Sequence, residues 1–230
     1  MSAWLKVYSV RSNDPAFDKE KLKAANEAVR HIGTNAIPAL LPRLMASDSP
    51  FTLRLVALAR KQHLFKVTFT SATDKYLQGY NGFRELGAKG GDTVPVLIRM
   101  YEQNLSPESQ NSIAIAFGCV GPAAEEAIPM LLRSLGDAKP SSRECAIVAL
   151  GGIHARPEIV LPPLIKCLSD QDVSVKWYAA LAVGYFGPDA KLAVPDLLKL
   201  LSDSDARLRD QAKDSLKKID PEAAANAGVK

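Results

Sequence analysis

The side chains that most often bind metals or move protons are scattered along this sequence. The three histidines, His31, His63 and His154, stand in separate parts of the chain, and none belongs to an H-x-x-x-H or H-E pair. A metal site on one helix needs such spacing, because it places two ligands on the same face. The sequence therefore predicts no metal site, and we expect each histidine to be a helix-end or surface residue.

The potential nucleophiles are equally isolated. Cys119, Cys145 and Cys167 each lie within an apolar run, where cysteine behaves as a small buried hydrophobe. No G-x-S-x-G motif is present, and the glycine cluster at 87–92 (GAKGGD) lacks the GKS or GKT ending of a phosphate-binding loop. We therefore predict no catalytic residue and no cofactor, and we expect that the protein is not an enzyme.

Composition and charge narrow the possible partners. The 230 residues are 47% hydrophobic and 23% charged, as in an ordinary globular protein. No apolar run reaches the length of about 18 residues that a membrane segment needs. The net charge of +4 divides into +7 over residues 1–100 and −3 over residues 101–230. The basic excess is densest over residues 54–75, which could contact phosphates, although such charges are more often only solvated.

The chain repeats itself with a regular period of about 33 residues. A marker proline recurs at nearly equal steps, at Pro95, Pro129, Pro162 and Pro195. Around each proline stand a glycine turn, an Ala-rich approach, a Leu-rich segment, a short polar break and a second amphipathic segment. This order predicts a helix, a tight turn and a second helix in every repeat.

The breaks contain the residues that begin and end helices. The segments SDQD (169–172) and SDSD (202–205) supply side chains that can accept hydrogen bonds from the first N–H groups of the next helix. Pro107 and Pro140 stand where the first residue of a helix falls, a position that tolerates proline. Gly121, which is followed by proline, is predicted to end a second helix.

Residues 172–187 (DVSVKWYAALAVGYFG) carry a recognisable pattern. It resembles the HEAT repeat, in the compact bacterial form often described as PBS-lyase HEAT-like, and the resemblance covers about residues 24–220. The residues on pattern are Val175, Lys176, Ala179, Ala180, Ala182, Val183, Gly184 and Phe186. The resemblance implies an all-α fold, a right-handed α-α superhelix of about five helix pairs. The sequence lacks the His-Glu ligands of the HEAT-like deoxyhypusine hydroxylases.

We expect one domain over residues 1–230. Residues 1–32 form an N-terminal cap that includes Trp4, Leu5, Val7 and Tyr8, residues 33–90 an irregular repeat, residues 91–220 the regular repeats and residues 221–230 a frayed tail. The irregular repeat contains an insertion, because the interval from Pro38 to Pro95 is well over one and a half periods. The predicted helices of the first 90 residues are 17–32, 51–64 and 73–87, with a loop between the last two.

A helical wheel of Val173–Phe186 separates a core stripe from an outer face. Val175, Ala179, Ala182, Val183 and Phe186 form the stripe, while Trp177 and Leu181 lie at about 200° and 240° from Val175. Ala180 and Gly184 also fall on the outer face. A shift by one repeat period predicts the same face in the other repeats, with these members: Asn111, Ala114, Ile115, Gly118, Glu144, Ile147, Val148, Gly151, Asp210, Lys213, Asp214 and Lys217.

The predicted function is that of a non-catalytic protein–protein interaction scaffold, which binds a protein or peptide in a concave groove lined by the second helices. Trp177 is the expected anchor. The predicted groove residues are Asn111, Ile115, Glu144, Val148, Trp177, Leu181, Tyr185 and Asp210. The alternative that Trp177, Leu181 and Tyr185 only pack against neighbouring repeats stays open.

Two further alternatives concern nucleic acid and location. A nucleic-acid-binding module, or an enzyme similar to the HEAT-like DNA glycosylases, would use the basic 54–75 region and Trp177 with Asp210 or Glu144. The acidic second half favours a protein partner over nucleic acid. We expect a cytoplasmic protein. The layout is also similar to bacterial HEAT proteins in which a membrane anchor or signal precedes a WLxxY segment, so a longer anchored precursor is the alternative.

Overall fold

A computed structural model describes residues 3–8, 18–61, 69–103 and 106–229, and all regular structure in these ranges is helical. The predicted all-α fold class is confirmed. Residue contacts divide the chain into two compact units, Met1–Gly90 and Gly91–Lys230. The division coincides with the boundary between the irregular repeat and the regular repeats. The assignment of both parts to one domain stays a prediction.

Within the described residues, the first unit contains five helices. They are α1 (Ala3–Val7), α2 (Lys19–Ile32), α3 (Ile37–Leu44), α4 (Pro50–Lys61) and α5 (Ala72–Leu86). Leu5 and Tyr8 are buried where α1 packs against α2, as expected of the N-terminal cap, and Val7 is half-buried. The side chain of Trp4 lies outside the described residues.

Helices α3 and α5 pack together as the helix pair of the irregular repeat. Helix α4 lies between them in the sequence and is the insertion. A glycine at position 79 of α5 lets Leu44 of α3 approach closely, since an added Cβ would lie 2.9 Å from Leu44 Cδ2. Ser71 and Asp74 close a capping box at the start of α5. The predicted loop is confirmed only at residues 69–71, because residues 62–68 lie outside the described part.

The second unit contains nine helices within the described residues. They are α6 (Val94–Gln103), α7 (Pro107–Val120), α8 (Ile128–Ser134), α9 (Pro140–Ile153), α10 (Pro157–Lys166), α11 (Val173–Tyr185), α12 (Val194–Leu200), α13 (Ala206–Ile219) and α14 (Pro221–Asn226). The second helices α7, α9, α11 and α13 begin one repeat period apart, at positions 107, 140, 173 and 206. Each packs against the first helix of its own repeat and against the second helix of a neighbouring repeat.

The predicted helix boundaries are confirmed by the hydrogen bonds at the breaks. Asp172 accepts hydrogen bonds from the N–H groups of Ser174 and Val175, and Asp205 does the same at the start of α13. Pro107 and Pro140 occupy the first turns of α7 and α9. Gly121 ends α7 with a φ of 69°, a left-handed conformation that glycine adopts without a steric penalty.

The prediction of a frayed tail is wrong. Pro221–Asn226 forms α14, which packs against α13 and buries Ala224. Asp220 begins this helix by accepting a hydrogen bond from the N–H of Ala223 at 3.0 Å. A capping aspartate, a proline at the first helical position and a run of alanines are thus sufficient for one more short helix. Its contact with α13 is made by a buried alanine and needs no large side chain.

By length and composition alone, the stretch Pro107–Ser134 could cross a membrane. In the structure it is two helices, α7 and α8, separated by a 3₁₀ turn over Gly121–Ala127. The 14 residues of α7 fall short of the roughly 20 that a spanning helix needs. Its apolar side chains Ile113 and Phe117 are fully buried within the second unit, so they form part of the core between repeats.

Small residues let consecutive second helices approach closely. An added Cβ at Gly152 of α9 would lie 2.6 Å from the Cα of Gly118 on α7. One repeat further on, Gly184 of α11 faces Ser215 of α13 with the same 2.6 Å to Ser215 Oγ. The hydroxyl of Ser215 donates a 2.7 Å hydrogen bond to the carbonyl of Ala180. At these crossings, the backbone of one second helix therefore lies close to the neighbouring second helix.

Ion pairs connect two of the second helices, α9 and α11, to the turn of the next repeat. The Arg143 guanidinium binds both carboxylate oxygens of Asp170, with Nε–Oδ2 and Nη2–Oδ1 distances of 2.9 and 2.7 Å, and the pair is largely buried. Lys176 and Asp203, one repeat further along, form the equivalent pair at 2.5 Å. Burial is the largest single effect on Asp170 and opposes its ionisation. The hydrogen bonds from Arg143 and from the backbone N–H groups of Asp172 and Gln171, together with the charge of Arg143, outweigh it and hold the pKa of Asp170 below its usual value.

We expect Gly152→Ala to destabilise the second unit by about 1–3 kcal/mol, because the new methyl group meets the backbone of Gly118, which cannot rotate away. This cost opposes the higher helix propensity of alanine, worth about 1 kcal/mol. Thermal and urea unfolding measure the difference. Gly136→Ala is the matched control, since its added Cβ would make only an ordinary contact of 3.5 Å. Equal stability of the two variants would contradict the close crossing.

We expect Asp170→Asn to lower the free energy of unfolding by about 1–3 kcal/mol at pH 7, because it removes the charge that Arg143 binds. The pKa of Asp170 is depressed in the folded state, so its stabilisation is lost as the pH falls below about 4. The difference between the native chain and the variant should close in that range. Glu158→Gln, in the exposed Arg156–Glu158 pair, should have little effect on stability at either pH.

Candidate protein-binding surface

Trp177 lies at the edge of an open cavity between α11 and α13. The indole is half-buried and contacts the ring of Tyr178 edge-on, with the ring centroids 5.0 Å apart. The cavity has a volume of about 340 Å³. Its walls are formed by Val173, Ser174, Trp177, Tyr178, Asp205, Arg207 and Leu208. An apolar side chain that entered it would contact two repeats at once.

The eight predicted groove residues all retain exposed surface, and together they are called here the second-helix surface. Asn111, Tyr185 and Asp210 are exposed, and Ile115, Glu144, Val148, Trp177 and Leu181 are half-buried. The repeat period places Asn111, Glu144, Trp177 and Asp210 at the same position of successive second helices. Ile115, Val148 and Leu181 form a parallel row one helical turn further on. Their role in binding stays a prediction.

Part of the predicted outer face is wrong. Ala114, Ile147 and Ala180 are fully buried, and Gly151 and Gly184 are buried as well. The physical reason is that each second helix packs on two sides, against its own first helix and against the neighbouring second helices. The exposed strip is therefore narrower than the helical wheel predicted.

The alternative in which Trp177, Leu181 and Tyr185 only fill space between repeats fits poorly with their exposure. Tyr185 keeps 51% of its surface exposed, although Lys218 approaches its ring to 5.8 Å. Trp177 is half-buried and lines one cavity together with the start of α13. All three side chains keep surface exposed to solvent.

Glu144 occupies the position of Trp177 one repeat earlier, on α9. Burial raises the pKa of Glu144, the nearby Asp172 raises it further, and Arg143 only partly opposes them. Within the described residues the Glu144 carboxylate makes no hydrogen bond or ion pair. Asp210, the equivalent residue on α13, differs because Lys213 binds it at 2.8 Å and lowers its pKa. Glu144 is thus a partly desolvated charge that a cation would stabilise.

Sequence reasoning missed the cavity walls Tyr178, Arg207 and Leu208. A wheel of one helix does not show what the next repeat brings against it. The available signal was the capping residue Asp205, because it fixes the first turn of α13 and so places Arg207 and Leu208 beside the first turn of α11. Position 207 is also the repeat equivalent of Ser174 on the opposite wall.

Among the described residues, the groups that could do chemistry lie apart. Cys145 and Cys167 are buried, as predicted, and burial raises the pKa of their thiols to about 12 and about 11, which disfavours the reactive thiolate form. Cys119 is half-buried. His31 is exposed near the end of α2, and His154 is exposed just after α9, with its ring stacked on Phe186 at 4.6 Å.

In the described ranges no three His, Cys, Asp or Glu residues come together closely enough to hold a metal ion. His63 and much of the basic 54–75 region lie outside the described residues, which include Arg54, exposed on α4.

Residues 161–227, which contain the last two helix pairs and α14, match the family model described as HEAT repeats. The last part of the second unit therefore contains HEAT repeats. HEAT and armadillo folds stack helix pairs into extended binding surfaces, are typical of protein-interaction scaffolds and are generally non-enzymatic. A comparison with curated proteins gives no match.

Solved structures show the same class of fold. A designed armadillo repeat protein in complex with the peptide (KR)4 is 18% identical, with a TM-score of 0.51, and the alignment covers 95% of this chain and 100% of that chain. Two engineered proteins are 18% and 19% identical, with TM-scores of 0.44 and 0.47, and the alignments cover 99% of this chain. The alignments cover 98% and 72% of their own lengths.

We expect Glu144→Gln to raise the free energy of unfolding at pH 7 by a small amount, about 0.5 kcal/mol or less, because it removes a partly desolvated charge whose exposed part is screened by solvent. The difference in free energy of unfolding between the variant and the native chain should close as the pH falls. The raised pKa of Glu144 means that the folded state takes up the proton more readily than the unfolded state does. Urea unfolding at several pH values tests both. The control is Glu126→Gln at an exposed site; a loss of stability specific to Glu144→Gln would contradict the assignment.

Proposed function

We propose that this protein is a non-catalytic scaffold that binds a peptide segment of a protein partner on the second-helix surface, with Trp177 as the anchor. The observation that supports the proposal best is the half-exposed indole at the edge of a cavity of about 340 Å³, one repeat away from the partly desolvated carboxylate of Glu144. Partly exposed tryptophans beside a pocket are frequent centres of binding energy in protein interfaces.

The shape of the surface favours a peptide over a compact ligand. The cavity is near the lower limit of small-molecule sites, about 300–1,000 Å³, and it is open to solvent. It can accept one aliphatic or aromatic side chain. The row formed by Ile115, Val148 and Leu181 continues from it across three repeats, which suits an extended chain that places a side chain on each repeat in turn.

The charges favour a basic residue in that peptide. Within the described ranges no cation binds Glu144, whereas Asp205 is already bound to Arg207 at 3.2 Å on the far wall of the cavity. A lysine or arginine beside the anchoring side chain would bind Glu144 and offset the cost of its desolvation. The designed armadillo protein of similar fold holds a (KR)4 peptide, which supports basic peptides as ligands of this fold class.

The same charges argue against a DNA-binding enzyme at this surface. Glu144 and Asp210, on either side of Trp177 in the repeat row, would repel phosphates. Asp210 is bound to Lys213, so it is poorly placed as a free catalytic acid. The groups that line the cavity are an indole, a phenol, a hydroxyl, a carboxylate paired with a guanidinium, and aliphatic side chains. No base activates the hydroxyl as a nucleophile among these lining groups.

Selection of peptides from a random display library against the full chain tests the proposal. We expect the selected peptides to share an apolar residue next to lysine or arginine. Trp177→Ala should weaken their binding at least about tenfold, because it removes the anchor and one cavity wall. Glu144→Gln should weaken it less, and should abolish the loss of affinity that the native chain shows as the pH falls towards the raised pKa of Glu144.

The matched control is Leu192→Ala, which truncates an apolar side chain that is 80% exposed on a different surface of the same unit. It should leave peptide binding unchanged, and circular dichroism should show that all three variants are folded. If the Trp177 variant bound the selected peptides as well as the native chain, or if no peptide were enriched, the proposed surface would be wrong.

A further inference from the structure

The inserted helix α4 exposes an unusual amount of apolar surface. Phe51 is 70% exposed, Leu53 48%, Leu55 49% and Leu58 58%. Among the described helices, none packs extensively across α4. Four of the eight large hydrophobic side chains exposed in the described part of the chain therefore lie on this one helix of the first unit. Contiguous exposed apolar surface of this kind commonly marks a binding site.

The exposed residues cover most of the circumference of α4. At about 100° per residue from Phe51, Leu55 lies at about 40° and Leu58 at about 340°, so these three side chains share one face. Arg54 lies beside them at about 300° and is exposed. The half-buried residues of the helix, Thr52 and Val56, lie at about 100° and 140°, away from this face. The helix thus presents an apolar face with a cation at its border.

The charge of the segment has one sign. Between Ser49 and Thr73 the sequence contains no aspartate or glutamate, and its basic residues are Arg54, Arg60, Lys61 and Lys66. The ends of the segment are joined to the fold, because the carboxylate of Asp48 accepts a 2.8 Å hydrogen bond from the N–H of Ala72. The basic apolar helix is therefore tethered at both ends to the α3–α5 pair.

We propose that α4 binds an anionic lipid surface. Phe51, Leu55 and Leu58 enter the boundary between headgroups and acyl chains, and Arg54 lies among the phosphates, with its aliphatic part against the lipid. A helix with this combination of apolar face, positive charge and no acidic residue is typical of peripheral membrane binding. Nucleic acid fits less well, because the most exposed side chains are phenylalanine and leucines, which have nothing to pair with along a phosphate backbone.

The inference is independent of the Trp177 surface, which lies in the other unit. A lipid-bound α4 would hold the peptide-binding scaffold at a membrane surface without any spanning segment. One short helix with three inserted side chains gives weak and reversible attachment, so binding should depend strongly on the fraction of anionic lipid and on salt.

Co-sedimentation of the full chain with vesicles tests the proposal. We expect binding to phosphatidylcholine vesicles that contain about one-third phosphatidylglycerol, and binding at least tenfold weaker to pure phosphatidylcholine or at high salt. The double variant Phe51→Ser, Leu58→Ser should lose at least tenfold in partitioning. Leu192→Ser is the matched control, since it removes a more exposed leucine from the second unit and should change nothing.

A spectroscopic measurement checks insertion directly. In a background in which Trp4 and Trp177 are replaced by phenylalanine, Phe51→Trp should shift its emission to the blue on addition of anionic vesicles, and Leu192→Trp should not. Peptide binding is measured separately with Trp177 present, so failure of one proposal is distinguishable from failure of the other.

Three results would overturn the lipid proposal. The first is absence of binding to anionic vesicles by the native chain, and the second is equal binding by the double serine variant. The third is a dimer, seen by sedimentation velocity without lipid, that the double variant converts to a monomer, since α4 would then be a contact between copies. Binding to duplex DNA in preference to vesicles, with dependence on Arg54, would assign the segment to nucleic acid instead.

Discussion

The arrangement of the second unit depends on how closely consecutive second helices approach one another. At Gly118 and Gly152, and again at Gly184 and Ser215, a single additional carbon would collide with the neighbouring helix. Contact at this distance keeps every second helix in nearly the same relation to the next. The repeat period can then place Glu144 and Trp177 side by side in space. The geometry of the proposed binding surface therefore depends on the helix crossings beneath it.

Much of the fold follows from local sequence rules. The parts that do not follow from them have one common cause, which is contact between repeats. Helix starts at Asp172 and Asp205 and the end of α7 at Gly121 depend on adjacent residues, so the sequence is sufficient to predict them. The helical wheel places Ala180 and Gly184 on the outer face because it accounts for packing in only one direction, whereas α11 also packs against the neighbouring second helices. Their small size was the available signal, since it indicates close contact with a neighbour rather than exposure. The cavity also needs two repeats, and its far wall could not be derived from α11 alone.

The second unit contains carboxylates of two kinds, those whose charge is satisfied within the fold and one whose charge is not. Asp170 and Asp203 bind the cations of the preceding helix and take part in the turns that begin α11 and α13, so their charges are satisfied within the fold. Glu144 occupies a position where the described part of the fold supplies no partner, and its charge is poorly solvated. The apolar side chains divide in the same way, between the buried core of the repeats and the exposed Trp177 and α4 surfaces. An unsatisfied group in a regular array is more informative about function than the array itself.

The hydrogen bond between Asp48 and Ala72 has a consequence for how such a protein can diversify. It brings together the two ends of the excursion over positions 49–71, so the chain leaves the α3–α5 pair and returns to it at almost the same place. The entropic cost of closing such an excursion rises only with the logarithm of its length, about 0.6 kcal/mol for each doubling. The segment that carries α4 can thus change in length or sequence between related chains while the repeats on either side keep their geometry.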